Sequence, residues 1–275
     1  MSKRLQGIHM RLDMARQNFA ELKAACDRFV RDDPDTAAGV NVEIDPDAGR
    51  VVATAHIPKD FPESLGGLAG QILYNLRAAL ENLAWQLVEA NGETPGEHTG
   101  FPVFKDEPKF KGGARGQTKG MSKSARATIK RLQPFNEWPE HPEHATLWKI
   151  HELAKVDRHR IPHMTSIELA RCKGSLELDR PGDIGAELLF LAEPGPIEDS
   201  AELFRIGYDP ARAVVLDCKM QVQFDLAIDP VLTHPHVTFL SPGGEPREGA
   251  PLHHLFGVAL SYVATTLLPA FDGEL

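Results

Sequence analysis

EHATLWKIHELAKVDRHRIP, residues 143–162, decides the fold class, because the hydrophobic period changes across its end. Before Pro162, the apolar residues Ile150, Leu153 and Val156 recur every third position, the spacing of one helix face, which predicts a helix over about 143–159. After Pro162 the apolar residues fall in short runs separated by Pro, Gly and Asp. Strands are predicted at 175–178, 186–192, 203–207, 214–228 and 236–240. A helical half followed by a run of strands predicts an α+β fold.

Working outward, Leu5, Ile8, Leu12, Ala15, Phe19, Leu22, Cys26 and Phe29 alternate in steps of three and four. That heptad seam predicts a helix over 4–31, packed on the body of the chain or on a partner subunit. Val40–Ile57 alternates with period two about the turn Asp45-Pro46-Asp47-Ala48-Gly49 and predicts a hairpin. A helix is predicted over 64–88, with Leu65, Ala69, Ile72, Leu76, Leu80, Leu83 and Leu87 facing the core. Residues 92–120, rich in Gly, Pro and Lys, are predicted to form a flexible basic loop, followed by a basic helix over 122–132. A last helix is predicted near 251–268. The expected architecture is a single domain over 1–275: a helical bundle with an N-terminal β-hairpin (1–162), a C-terminal antiparallel β-meander (163–242) and a C-terminal helix (250–269).

The chain has 275 residues, 42% hydrophobic and 25% charged, enough for a sizeable core and too apolar for general disorder. A net charge of −9 argues against a protein that coats nucleic acid non-specifically, although 105–131 is a local basic exception. The three cysteines, Cys26, Cys172 and Cys218, have no CxxC spacing and predict buried reduced thiols and a cytoplasmic setting. No signal peptide or membrane span is expected, since Arg11, Asp13 and Arg16 interrupt the N-terminal segment and polar residues interrupt the C-terminal one.

Two helices carry the candidate site. On the first, Gln71, Asn75, Asn82 and Gln86 fall on one strip, flanked by Tyr74, Arg77, Glu81 and Trp85. This predicts either a ligand-facing surface or a solvated face with an Arg77–Glu81 ion pair. On the second, His144, Trp148, His151, Glu152, Lys155 and His159 share a face. Asp157 falls on the opposite, apolar side, where a carboxylate needs a partner, and Arg77 is the expected one. No HExxH, P-loop or GxSxG is present, and no His, Cys or carboxylate spacing has ligand geometry. Neither a metal nor another cofactor is therefore expected; the His234/His236 and His253/His254 pairs have no assigned role.

Arg158-His159-Arg160-Ile161-Pro162-His163 resembles the R-x4-H signature of HEPN-type ribonucleases. That resemblance implies metal-independent RNA cleavage at a helical groove, with Arg158 holding phosphate, His163 moving the proton and His159 orienting. A wider resemblance runs through Asn75-Leu76-Arg77-Ala78-Ala79-Leu80-Glu81-Asn82-Leu83-Ala84-Trp85-Gln86-Leu87, Phe101-Pro102-Val103-Phe104, Leu132-Gln133-Pro134, Leu147-Trp148 and His151-Glu152-Leu153 to Arg160. These segments are similar to NLRxALDxLAWQL, FPIF, LQP and LHELxxxDKHR of a family of uncharacterised bacterial and phage proteins. Glu81 stands where that family has Asp, and Arg158 where it has Lys. The resemblance implies that the two polar helices form one unit.

Two functions of different class fit this reading. One is a ribonuclease of phage defence using Arg158, His163 and His159, supported by Arg77, Glu81, Asn75, His151, Glu152, Lys155 and Asp157, with RNA held by 105–131. The other is a non-catalytic module that engages a protein partner, or itself, through the polar helix surface or helix 4–31.

Overall fold

The protein is described by a computed structural model covering residues 3–31, 39–58, 61–157, 164–178, 183–216, 220–234, 237–240, 246–247 and 249–275. The fold is α+β. Its described helices are α1 (Lys3–Arg31), α2 (Glu63–Ala90), α3 (Glu107–Gln117), α4 (Lys123–Arg131), α5 (Pro134–Glu137), α6 (Thr146–Asp157), α7 (Pro210–Leu216) and α8 (Leu252–Tyr262). The strands are β1 (Gly39–Asp45), β2 (Arg50–His56), β3 (Met164–Leu178), β4 (Glu187–Leu191), β5 (Gly195–Ile197), β6 (Glu202–Gly207), β7 (Met220–Thr233), β8 (Phe239–Leu240), β9 (Pro246–Arg247) and β10 (Gly249–Pro251). The chain divides into two compact units, one of residues 1–23, 63–164 and 232–275, the other of residues 24–62 and 165–231.

The first unit is built on α2, α6 and α8, which pack on one another. The predicted apolar face of α2 is buried throughout, from Leu65 to Leu87. In the N-terminal part of α1 the seam residues Ile8, Leu12, Ala15 and Leu22 are likewise buried. After Tyr262 the chain runs through one π-helical turn, Val263–Leu267, into a short 3-10 turn, Pro269–Phe271. Residues 252–271 are long and apolar enough, by length and composition, to match a membrane span. Within this unit Leu252, Phe256, Val263, Leu267 and Phe271 of that segment are buried.

The expected loop at 92–120 is a helix over 107–117. Pro108 occupies the first turn, where its missing N–H costs nothing, and Lys111 pairs with Glu107 one turn back, at 3.3 Å. Phe110 packs edge-on between Phe104 and Phe135, with centroids 6.1 and 5.7 Å away. Gly113 serves this packing directly, because a Cβ there would lie 2.7 Å from the Phe104 ring.

In the second unit β1 and β2 form the predicted hairpin, Val42 opposite Ala53. At its turn Asp45 accepts the Ala48 N–H at 3.0 Å, and Gly49 takes φ +60°; a Cβ there would lie 2.3 Å from the Tyr208 carbonyl. The hairpin joins β6 and then β4 in a sheet ordered β1-β2-β6-β4, while β7, β3 and β5 lie in a second sheet. The described strands after 163 thus divide among three sheets, since β8 and β9 pair with each other. Val51, Ala53, Phe204 and Ile206 of the first sheet pack with Leu169 and Cys172 of β3. Residues 214–216, expected to open the strand 214–228, belong instead to helix α7 over 210–216. Asp209 caps it by accepting the N–H groups of Ala211 at 2.9 Å and Arg212 at 3.3 Å, and Pro210 follows the cap.

Candidate functional site

Two separated segments of the first unit, the middle of α2 and residues 129–133, meet at the backbone of residues 101–104. Arg77 and Glu81, one turn apart on α2, form an ion pair. Glu81 Oε2 accepts the N–H of Phe101 at 3.0 Å, and Arg77 Nη2 donates to the Phe101 carbonyl at 2.8 Å. Gln133, fully buried, repeats this two residues on. Its Nε2 donates to Pro102 O at 2.9 Å and Ile129 O at 3.0 Å, and its Oε1 accepts from Phe104 N at 2.9 Å. The 101–104 segment lies in no sheet, so its buried peptide groups need side-chain partners, and α2 and the residue before α5 supply them. A Cβ at Gly100 would lie 2.8 Å from Glu81 Oε2, so glycine at the entry lets that carboxylate keep its place.

This segment delivers Lys105 to α6. The Lys105 ammonium lies 5.4 Å from the Trp148 ring centroid and the Lys155 ammonium 5.7 Å from it. The His151 ring is 5.9 Å from Trp148. Lys155 is also paired with Glu152 at 2.6 Å, and Glu152 is buried. The Trp148 indole N–H is buried and has no hydrogen-bond partner among the described residues. Trp148, His151, Glu152 and Lys155, expected on one polar face, therefore do cluster, about an indole with two ammonium groups near it.

The amide strip of α2 divides. Asn75 is buried, accepting from Arg11 at 3.2 Å and donating to Gln71 O at 3.0 Å. Asn82 donates to Gly7 O at 3.4 Å, and Arg11 stands over the Tyr74 ring at 5.5 Å. These amides hold α1. Gln86 turns instead to Glu89, at 2.8 Å. Arg158, His159, Arg160 and His163 lie outside the described residues, as does the side chain of Asp157 and hence the expected Arg77–Asp157 pair.

Sequence reasoning missed one grouping. His141, Glu143 and His144 bring one ligand atom each within 4.8 Å of one another, the only such His/carboxylate group among the described residues. The His141 and His144 rings stack at 5.0 Å, and Trp138 packs edge-on to His144 at 5.9 Å. Burial lowers the His144 pKa, with His141 and Lys149 acting in the same direction and Glu143 opposing. The signal was the HPEH run, whose spacing brings donors together only in the 3-10 turn Pro142–His144.

The basic stretch 105–131 carries nine Lys and Arg against two acidic residues. Those two take up a minority of the cations: Asp106 pairs with Lys109 at 3.3 Å, and Glu107 with Lys111 at 3.3 Å and Lys130 at 2.8 Å. The two pairs pull the Glu107 carboxyl below its ordinary pKa, the hydrogen bond from Lys130 foremost. Arg115, Lys119, Lys123, Arg126 and Arg131 are exposed and have no acidic partner among the described residues. No family model, curated protein or solved structure matches the chain.

Proposed function

We propose that this protein binds RNA on the α3–α4 surface and cleaves it without a metal, with Arg158 and His163 as the reacting pair. The supporting observation is the set of five exposed cations on and between α3 and α4 that have no acidic partner among the described residues, in a chain of net charge −9. A protein this acidic gains nothing by concentrating unneutralised cations unless they meet an anion, and a phosphate backbone matches their spread over two helices. Lys105 beside the Trp148 ring adds an aromatic surface next to a positive charge, a combination that suits a nucleobase beside its phosphate. Arg158 and His163 follow α6 directly in the chain. A guanidinium there would hold the scissile phosphate, and an imidazole would take the 2′-hydroxyl proton, the chemistry implied by the R-x4-H resemblance. Phage defence is the setting proposed for such an activity.

The test is incubation of the purified protein with end-labelled single-stranded RNA, with and without chelator. Binding is followed by fluorescence anisotropy over a salt series and cleavage on a denaturing gel. Salt-dependent binding and chelator-resistant cleavage are expected; absence of both ends this reading. A second reading, a non-catalytic protein-binding module, is favoured by β4. It is an edge strand on which Leu188, Leu189, Phe190 and Leu191 are all exposed. RNA binding without cleavage in the same assay separates an RNA-binding protein from the nuclease, and no RNA binding leaves the β4 reading.

A further inference from the structure

The first unit contains a cavity of about 220 Å³ between α2, α6, β8 and α8. Leu73, Ile150, Leu153, Phe239, Phe256 and Ala259 form its apolar wall. An engineered apolar cavity of about 150 Å³ admits benzene, so this one has room for a ring with a short arm or a medium-length alkyl chain. Lys149, Thr146 and His254 also line it and supply polar groups.

Lys149 makes the cavity specific. The residue is half-buried, its ammonium stands 5.9 Å from the Phe239 ring, and no carboxylate comes within 4.0 Å of it among the described residues. Glu137 is the acidic group that acts on it, without forming an ion pair, and Tyr262 donates to that carboxylate at 3.4 Å. Burial lowers the Lys149 pKa, Glu137 only partly opposing. A desolvated ammonium on an apolar wall is costly unless an anion joins it, and the exposed rim offers it no reason to be placed there.

We propose that this cavity is a binding site for a small apolar monocarboxylate, its hydrocarbon part enclosed by α2, α6 and α8 and its carboxylate paired with Lys149. One cation sets one negative charge on the ligand, and the apolar lining excludes a sugar or nucleotide body. His254 and Thr146 offer hydrogen bonds to the second carboxylate oxygen. The site is separate from the surface proposed for RNA and does not depend on that reading.

The experiment is calorimetric titration of the full chain with octanoate and, in parallel, with 1-octanol, which has the same alkyl length but no charge. Saturable octanoate binding is expected, with the alcohol weaker by about tenfold or more, the contribution of one charge-assisted contact. Lys149→Met should bring the two ligands to similar affinity, Lys149→Arg should keep the preference, and Ala259→Leu, which fills the cavity, should abolish both. Equal affinity of the wild-type protein for acid and alcohol, no saturable binding of octanoate, or octanoate binding undiminished in Ala259→Leu would each overturn the proposal. The acid-against-alcohol comparison needs no variant, so it decides the matter even where a substitution prevents folding.

Discussion

The Glu81 carboxylate accepts the backbone N–H of Phe101 at 3.0 Å, joining the middle of α2 to a segment twenty residues further along the chain. With Arg77 on the adjoining carbonyl at 2.8 Å, both polar groups of one residue are held by an ion-paired side-chain couple. Glu81→Ala leaves the Phe101 N–H without its acceptor and removes a counter-charge from the buried Arg77. A loss of about 2 kcal/mol in urea unfolding is expected, less than for a fully buried pair because Glu81 is partly exposed. Gly100→Ala should cost about 1–3 kcal/mol by pushing the same carboxylate away. Because both changes act on one contact, the double variant should be less destabilised than the sum of the two.

Gln133→Ala strips hydrogen bonds from Pro102, Phe104 and Ile129 at once and should cost about 3 kcal/mol. Chemical denaturation would measure it, and a loss below that of an ordinary surface substitution would contradict the arrangement.

The α3 glycines give a paired test. Gly113→Ala drives a Cβ into the Phe104 ring and should destabilise by about 1–3 kcal/mol. Gly112→Ala places its methyl in open space within the same helix and should stabilise by about 1 kcal/mol. Opposite shifts in melting temperature are the expected result.

Lys149 sets a pH dependence. Its folded pKa is depressed below the ordinary 10.5, so the unfolded chain binds the proton more tightly. Between the depressed value and 10.5, folding stability therefore rises with pH; below that window the full cost of the buried ammonium is present. Lys149→Met should raise the melting temperature at neutral pH in ligand-free protein and remove the alkaline rise. An unchanged profile would show that the ammonium is solvated.

Charge reversal at Arg115 and Arg126 should weaken RNA binding at low salt. The slope of log affinity against log salt should become shallower by about 1.4 if both side chains meet phosphate on a single strand. Arg158→Ala and His163→Ala should each abolish cleavage, and His163→Ala should bind RNA within a few-fold of the wild type, since its role is the proton. Cleavage intact in either variant would remove that residue from the proposed chemistry.

Cys26 should resist thiol reagents until the protein unfolds. It is buried, and burial foremost, with Asp229 and Asp27 adding to it, pushes its pKa up to about 12, so almost no thiolate exists at neutral pH. Rapid labelling of Cys26 in the native state would contradict this.

The sequence by itself determined the elements whose buried face repeats with a local period: the seam of α1, the core face of α2, the β1–β2 hairpin and its Gly49 turn, and the change from helix to strand after Pro162. Periodicity records which side of an element is buried and carries no information about what covers it. Only the tertiary structure decided that Asn75 and Asn82 lie under α1, and that the hairpin pairs with β6. The same holds for the cavity beside Lys149 and for the hold of Arg77, Glu81 and Gln133 on residues 101–104. Residues 107–117 became a helix because Phe110 found Phe104 and Phe135, packing that outweighs the low helix propensity of glycine. A side chain that bonds backbone twenty to thirty residues away leaves no local pattern, so these contacts become visible only when the chain is folded.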